Sequence, residues 1–135
     1  VTDRPWTSER VEEQMPEPAA ATRPLAHPET AEIRLEGVLH ALSDAVRLSI
    51  VRELATVDEE LACSHFELPV TKSTTTHHFR VLREAGVVRQ TYRGTTKLND
   101  LRRADLESLF PGLLDAVLTA ATAEAARLTG PGAHA

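Results

Sequence analysis

The sequence predicts a mainly α-helical domain that carries one small β-hairpin. Three observations lead there. Apolar residues recur at helical spacing through most of residues 28–129. The stretch 87–98 abandons that spacing for two short β-prone runs on either side of Arg93-Gly94. The basic side chains gather in one block around that hairpin. The 135 residues are 41% apolar and 26% charged, with 15 Lys and Arg against 20 Asp and Glu and a net charge of −5. Yet residues 72–103 hold Lys72, Arg80, Arg83, Arg89, Arg93, Lys97, Arg102 and Arg103 against only Glu84 and Asp100, a local charge of +6. A net acidic chain does not suggest nucleic acid, but a positive block confined to one segment is a footprint for a polyanion. The plainer alternative is a solvated face paired with acids elsewhere in the fold.

Residues 1–27 read as a flexible acidic tail. Pro5, Pro16, Pro18 and Pro24 interrupt it, and apolar side chains are sparse apart from Trp6, Val11, Met15 and an alanine run. Such a segment buries too little to offset its ordering entropy. Residues 7–15 have the composition of a short acidic helix, and Trp6 is the candidate anchor. The domain proper is expected over 28–129, followed by a frayed end over 130–135 that begins with Gly130-Pro131-Gly132.

Proline suits a first helical turn, so the first helix is expected to open near Pro28, with Ile33, Leu35, Val38, Leu39 and Leu42 as its stripe. Ser43 or Asp44 caps a second helix whose apolar face includes Val46, Ile50, Val51 and Leu54. A polar break follows over 56–60, then a short helical turn over 61–66, closed off by Pro69. Thr71 is the cap of a further helix that ends at Gly86, a residue suited to the position just past a helix. Residues 87–92 read as a strand, Arg93-Gly94 as a turn and 95–98 as the partner strand. A helical piece carrying Leu101, Leu106 and Leu109 breaks at Phe110-Pro111-Gly112. A last helix then offers Leu113, Leu114, Val117, Leu118, Ala121, Ala125 and Leu128.

The helix after Thr71 has an unusual composition. Thr74, Thr75 and Thr76 are poor helix formers. Setting the period on Thr75, His78, Phe79 and Leu82 makes those the inward face. Lys72, Ser73, Thr76, His77, Arg80 and Arg83 then fall outward, with Thr74 at the edge. A short, hydrogen-bonding, cationic face is what a helix needs to enter a DNA major groove. A helix–turn–helix followed by a β-hairpin is a winged helix, whose hairpin adds a second contact to the phosphate backbone.

Two runs carry a resemblance to a known family. Leu42-Ser43-Asp44-Ala45-Val46-Arg47-Leu48-Ser49-Ile50 resembles the second-helix signature of ArsR-type (ArsR/SmtB) winged helix-turn-helix regulators. His77-His78-Phe79-Arg80-Val81-Leu82-Arg83-Glu84-Ala85-Gly86-Val87-Val88 resembles their recognition-helix and wing-entry signature. The likeness spans roughly residues 33–118. It implies a bacterial, cytoplasmic homodimer that binds double-stranded DNA at an inverted-repeat operator, usually as a repressor released by a metal ion or another small signal. It also implies dimerisation through the first and last helices, here near 30–42 and 111–128. Carried over, the DNA-binding positions are Lys72, Ser73, Thr74, Thr76, His77 and Arg80 on the recognition helix, and Arg93, Gly94, Thr95 and Lys97 on the wing. The sequence departs from the family where Ala45 replaces the usual proline, and where the stretch 60–70 is shorter than usual, so that the first helix of the helix–turn–helix must be abbreviated.

Metal-sensing members often carry paired cysteines in that first helix. Here Ala62 and Ser64 hold those positions and Cys63 lies between them. Other members use Asp and His on the last helix. This chain offers only Asp115 and Glu124 there, with His134 beyond the helix end. No metal site or cofactor is therefore expected. A new site would have to gather Cys63, His65 and His77 or His78, for each of which a buried, hydrogen-bonded or DNA-contacting role is simpler. The single cysteine rules out an intrachain disulfide and fits a reducing compartment. No phosphate-binding glycine loop or metalloprotease His-Glu pair points to an enzyme, and no apolar run is long enough to span a membrane. The competing functional reading is a winged-helix protein-interaction module without DNA binding. The aromatic anchors that such a face would offer are absent from the outward helix face.

Overall fold

The computed structural model describes residues 22–130. The chain runs through β1 (Thr22–Pro24), a 3-10 turn (Thr30–Glu32), α1 (Leu35–Leu42), α2 (Ala45–Ala55), β2 (Leu61–Ala62) and a second 3-10 turn (Cys63–His65). It continues through α3 (Lys72–Glu84), β3 (Val88–Arg93), β4 (Thr96–Leu101), α4 (Arg103–Leu109) and α5 (Leu113–Thr129). The expected helix over 7–15, Trp6 and His134 lie outside the described residues.

The helix boundaries follow from local chemistry. Ser43 belongs to the end of α1, where its hydroxyl donates to the His40 carbonyl at 2.7 Å. Asp44 is the cap of α2 and accepts from the amides of Val46 and Arg47 at 2.9 and 3.1 Å. The Arg47 amide, foremost among several causes, holds the Asp44 carboxyl below the usual carboxylate range. Thr71 caps α3, as its sequence predicts, by accepting from the Thr74 amide at 3.2 Å. After Ala85 the chain turns at Gly86, whose φ is 87°. A Cβ there would lie 2.5 Å from Ile33 Cγ1, so the position needs glycine for its backbone and for its neighbour.

Four strands form one antiparallel sheet in the order β1-β3-β4-β2. The β3–β4 ladder runs from Val88↔Leu101 to Arg93↔Thr96 and closes on Gly94-Thr95, with Gly94 at φ 65°. Val38, Ile50, Val51, Phe79, Leu82, Val87 and Val88 are fully buried and join α1, α2 and α3 to one face of this sheet. A five-helix arrangement with a small antiparallel sheet is compatible with a winged-helix regulator fold.

Four expectations change in detail. Thr22–Pro24, inside the segment read as tail, is a strand paired with Thr91, Tyr92 and Arg93. Pro28 precedes a 3-10 turn rather than the first helix. Ile33 and Arg34 are extended, which lets the Ile33 side chain bury against Gly86. Residues 61–66 do not form one helical turn. Leu61 and Ala62 pair with Asn99 and Leu98 of β4, and only Cys63–His65 coils. The second wing strand reaches Leu101, because the ladder to β3 runs its full length. At the other end, α4 and α5 meet at 114°, with Gly112 at φ 82° in the bend.

Candidate nucleic-acid interface

The two faces of α3 separate as the helical period requires. His78, Phe79 and Leu82 are buried and Thr75 is half-buried. Lys72, Ser73, Thr76, His77 and Arg80 are exposed, and Thr74 sits between the faces. The Thr71 hydroxyl donates to Thr74 Oγ1 at 2.9 Å, and Thr76 Oγ1 donates to the Lys72 carbonyl at 3.1 Å. The Arg80 guanidinium lies 3.2 Å from His77 Nδ1. The outward face therefore presents two cations, hydroxyls and an imidazole, with no large apolar group. Arg83 does not join it. Its guanidinium turns inward and donates to Gln90 Oε1 at 2.6 Å.

Behind that face, a buried hydrogen-bond set fixes the helix. Arg47 donates to the carbonyls of Ala41 and His40 at 2.7 and 3.3 Å, and lies 3.1 Å from His78 Nδ1. A guanidinium can only donate, so Nδ1 is the acceptor and the imidazole proton is on Nε2. That nitrogen lies 3.8 Å from Asp44 Oδ2. The end of α1, the cap of α2 and the middle of α3 are thus tied at one point.

The wing tip exposes Arg93, Gly94 and Thr95, and Lys97 is half-buried beside it. Arg93 lies 3.6 Å from Glu60 Oε1. Register places Arg23, Tyr92 and Lys97 in one cross-strand row. The Arg23 guanidinium carbon is 5.0 Å, and the Lys97 ammonium 5.5 Å, from the Tyr92 ring centre. Cation–π contacts at exposed sites contribute about 0.5–1 kcal/mol. Sequence reasoning missed Arg23, because a three-residue strand that ends in Pro24 carries no readable period. Between the wing and the first turns of α3 lies a groove of about 810 Å³. Cys63, Phe66, Leu68 and Phe79 contribute apolar lining, Lys72 and Thr76 the helix side, and Tyr92, Thr95 and Lys97 the wing side.

The positive block divides in two. Lys72, Arg80, Arg93 and Lys97 flank the groove or the outward face. The remaining four have structural partners. Arg83 bonds Gln90, and Arg89 lies 3.6 Å from Asp105. Arg102 is buried and bonds Asp105 and the Pro28 carbonyl at 2.9 and 3.0 Å. Arg103 donates to the carbonyls of Leu54, Ala55 and Val57 at the end of α2, where a cation satisfies groups the helix leaves open.

The candidate metal ligands do not gather. Cys63 Sγ accepts from Asn99 Nδ2 at 3.2 Å, and His65 pairs with Glu53 at 2.9 Å. His77 and His78 are adjacent but engage Arg80 and Arg47 on opposite faces. Among the described residues no group of three or more His, Cys, Asp or Glu side chains converges.

A helix with a polar, cationic outer face, followed by a basic hairpin, is compatible with a winged-helix regulator. No protein-family model matches the chain. Over 80 residues it is 35% identical to an uncharacterized HTH-type transcriptional regulator, YceK, of Bacillus subtilis (strain 168), a match that covers 58% of this chain and 80% of that relative. The chain belongs to the HTH-type transcriptional regulators.

Proposed function

We propose that the protein is a homodimeric, sequence-specific DNA-binding repressor of the ArsR type, acting on an inverted repeat. The observation that carries this reading is the exposed face of α3, where Lys72, Ser73, Thr76, His77 and Arg80 stand together without an apolar anchor. These residues, with Thr74 at the edge, enter the major groove. Arg or Lys reads guanine edges. The Thr76 hydroxyl is occupied by its own helix, which leaves its methyl group to meet thymine. Arg93, Gly94, Thr95 and Lys97 of the wing hold the backbone. The Arg93–Glu60 pair is no obstacle, because an exposed ion pair is worth little and phosphate replaces the carboxylate.

Dimerisation is supported by α1 and α5. Leu35, Leu39 and Leu128 are 44%, 46% and 60% exposed, the large apolar side chains left open to solvent among the described residues. Two copies joined there set two α3 helices into successive major grooves about one helical turn apart. The regulator core then spans 28–129, with β1 fastened to its wing and the acidic segment 1–21 ahead of it.

A mobility-shift assay on genomic fragments at several salt concentrations tests the reading. Affinity should fall steeply with salt, because neutralising phosphates releases counterions. Arg93→Ala should weaken all sequences alike, whereas Thr76→Ala and His77→Ala should change which sequences are preferred. Binding that is absent, or indifferent to salt, would sink the proposal.

A further inference from the structure

We infer that Arg23, Tyr92 and Lys97 form a phosphate-binding row, so that the DNA-contacting wing is three strands wide rather than two. The inference rests on the DNA-binding reading above. Pairing of Arg23 with Tyr92 and of Tyr92 with Lys97 puts three consecutive cross-strand neighbours on one face of the sheet. Directly paired residues on adjacent strands share a face. That face is the one turned to the groove, since Tyr92 and Lys97 both line it. The Tyr92 ring lies within 5.0 Å of the Arg23 guanidinium and 5.5 Å of the Lys97 ammonium. Contact with the ring holds both long side chains at a set height above the strands, which lowers the ordering cost of binding an anion. Across the groove stand Lys72 and Thr76, and the acidic residue in the lining is Glu67. A solvent-open groove with cations on both walls suits a run of phosphodiesters passing between helix and wing. Because β1 pairs Thr22 with Arg93, it delivers Arg23 one residue from the wing tip.

The test uses the full chain, a labelled mixed-sequence duplex and a salt titration, since phosphate contacts need no operator. Each phosphate contact adds about 0.9 to the slope of log affinity against log salt, which is roughly eightfold in affinity at about 0.1 M salt. Arg23→Gln should lower the slope by about that amount per protomer and lower the thermal unfolding midpoint by no more than a few degrees, the loss of one exposed cation–π contact. Arg23→Lys should keep the slope. If Arg23→Gln has the parent's slope, or if Arg23→Lys loses as much as Arg23→Gln, the row does not bind phosphate. A parent chain with no salt-dependent affinity for duplex would instead overturn the proposed function itself.

Discussion

Eight basic side chains between residues 72 and 103 are chemically alike and meet different fates. Arg102 is buried against Asp105 and the Pro28 carbonyl, and Arg103 gathers three carbonyls at the end of α2. Guanidinium suits such posts because it offers five donors in a rigid fork. Charge counting overstated the interface for that reason, since it gives every cation equal weight. His27 shows the same dependence on surroundings. Its Nε2 accepts from the Gln90 amide at 2.8 Å. Burial, and then the charge of Arg89, push its pKa below the ordinary 6.5. The unfolded chain therefore takes up the proton more readily than the folded one. The stability His27 contributes is complete above about pH 6.5 and is lost as pH falls from there through the folded value. Thermal melts taken at about pH 7 and about pH 5 should show a drop in the parent that is smaller in His27→Gln. Equal drops would mean that the Gln90 contact does not select the neutral imidazole.

At the scale of elements, α3 is helical despite its three threonines because its two ends are specified. Thr71→Ala removes the acceptor for the Thr74 amide and should cost about 1 kcal/mol in denaturant unfolding. A cost near zero would show that packing of Phe79 and Leu82 fixes the start of the helix unaided. The limits of α3, its two faces and the wing turn at Gly94 were legible in the sequence, because a cap, a 3.6-residue period and a glycine act locally. The exposure of Lys72, Ser73, Thr76, His77 and Arg80 followed from the same period. What escaped depended on distant partners. Nothing near Arg23 announces that it will pair with Tyr92. Residues 61–66 looked helical alone, yet Asn99 draws the Leu61 carbonyl into the sheet with a 3.1 Å hydrogen bond. The first helix starts late because Ile33 is pulled down onto Gly86, 53 residues along the chain.

At the scale of the molecule, the proposed dimer depends on apolar surface that one copy leaves open. Leu39→Glu changes an exposed residue of α1, so the monomer should fold normally. Each copy loses roughly 1.5 kcal/mol or more of burial, which together should weaken dimerisation by more than about a hundredfold. Sedimentation should then report monomer where the parent is dimeric, and affinity for an inverted repeat should fall with it. A dimeric Leu39→Glu protein would place the interface elsewhere. The charge layout works at this scale too. The net charge of −5 opposes indiscriminate attachment to nucleic acid, while the exposed cations Lys72, Arg80 and Arg93 stand together on α3 and the hairpin.

The strand β1 has a consequence for the chain as a material in solution. A bare hairpin ends in an unsatisfied row of amides and carbonyls, to which any other extended chain can add. Here that row on β3 is occupied. Thr22–Pro24 lies along Thr91 to Arg93, the Leu25 amide donates to the Gln90 carbonyl at 3.2 Å, and His27 takes the Gln90 amide. The strand now outermost is three residues long and contains Pro24, which has no amide proton to offer. So short an edge, interrupted by proline, offers a neighbouring extended chain little to pair with.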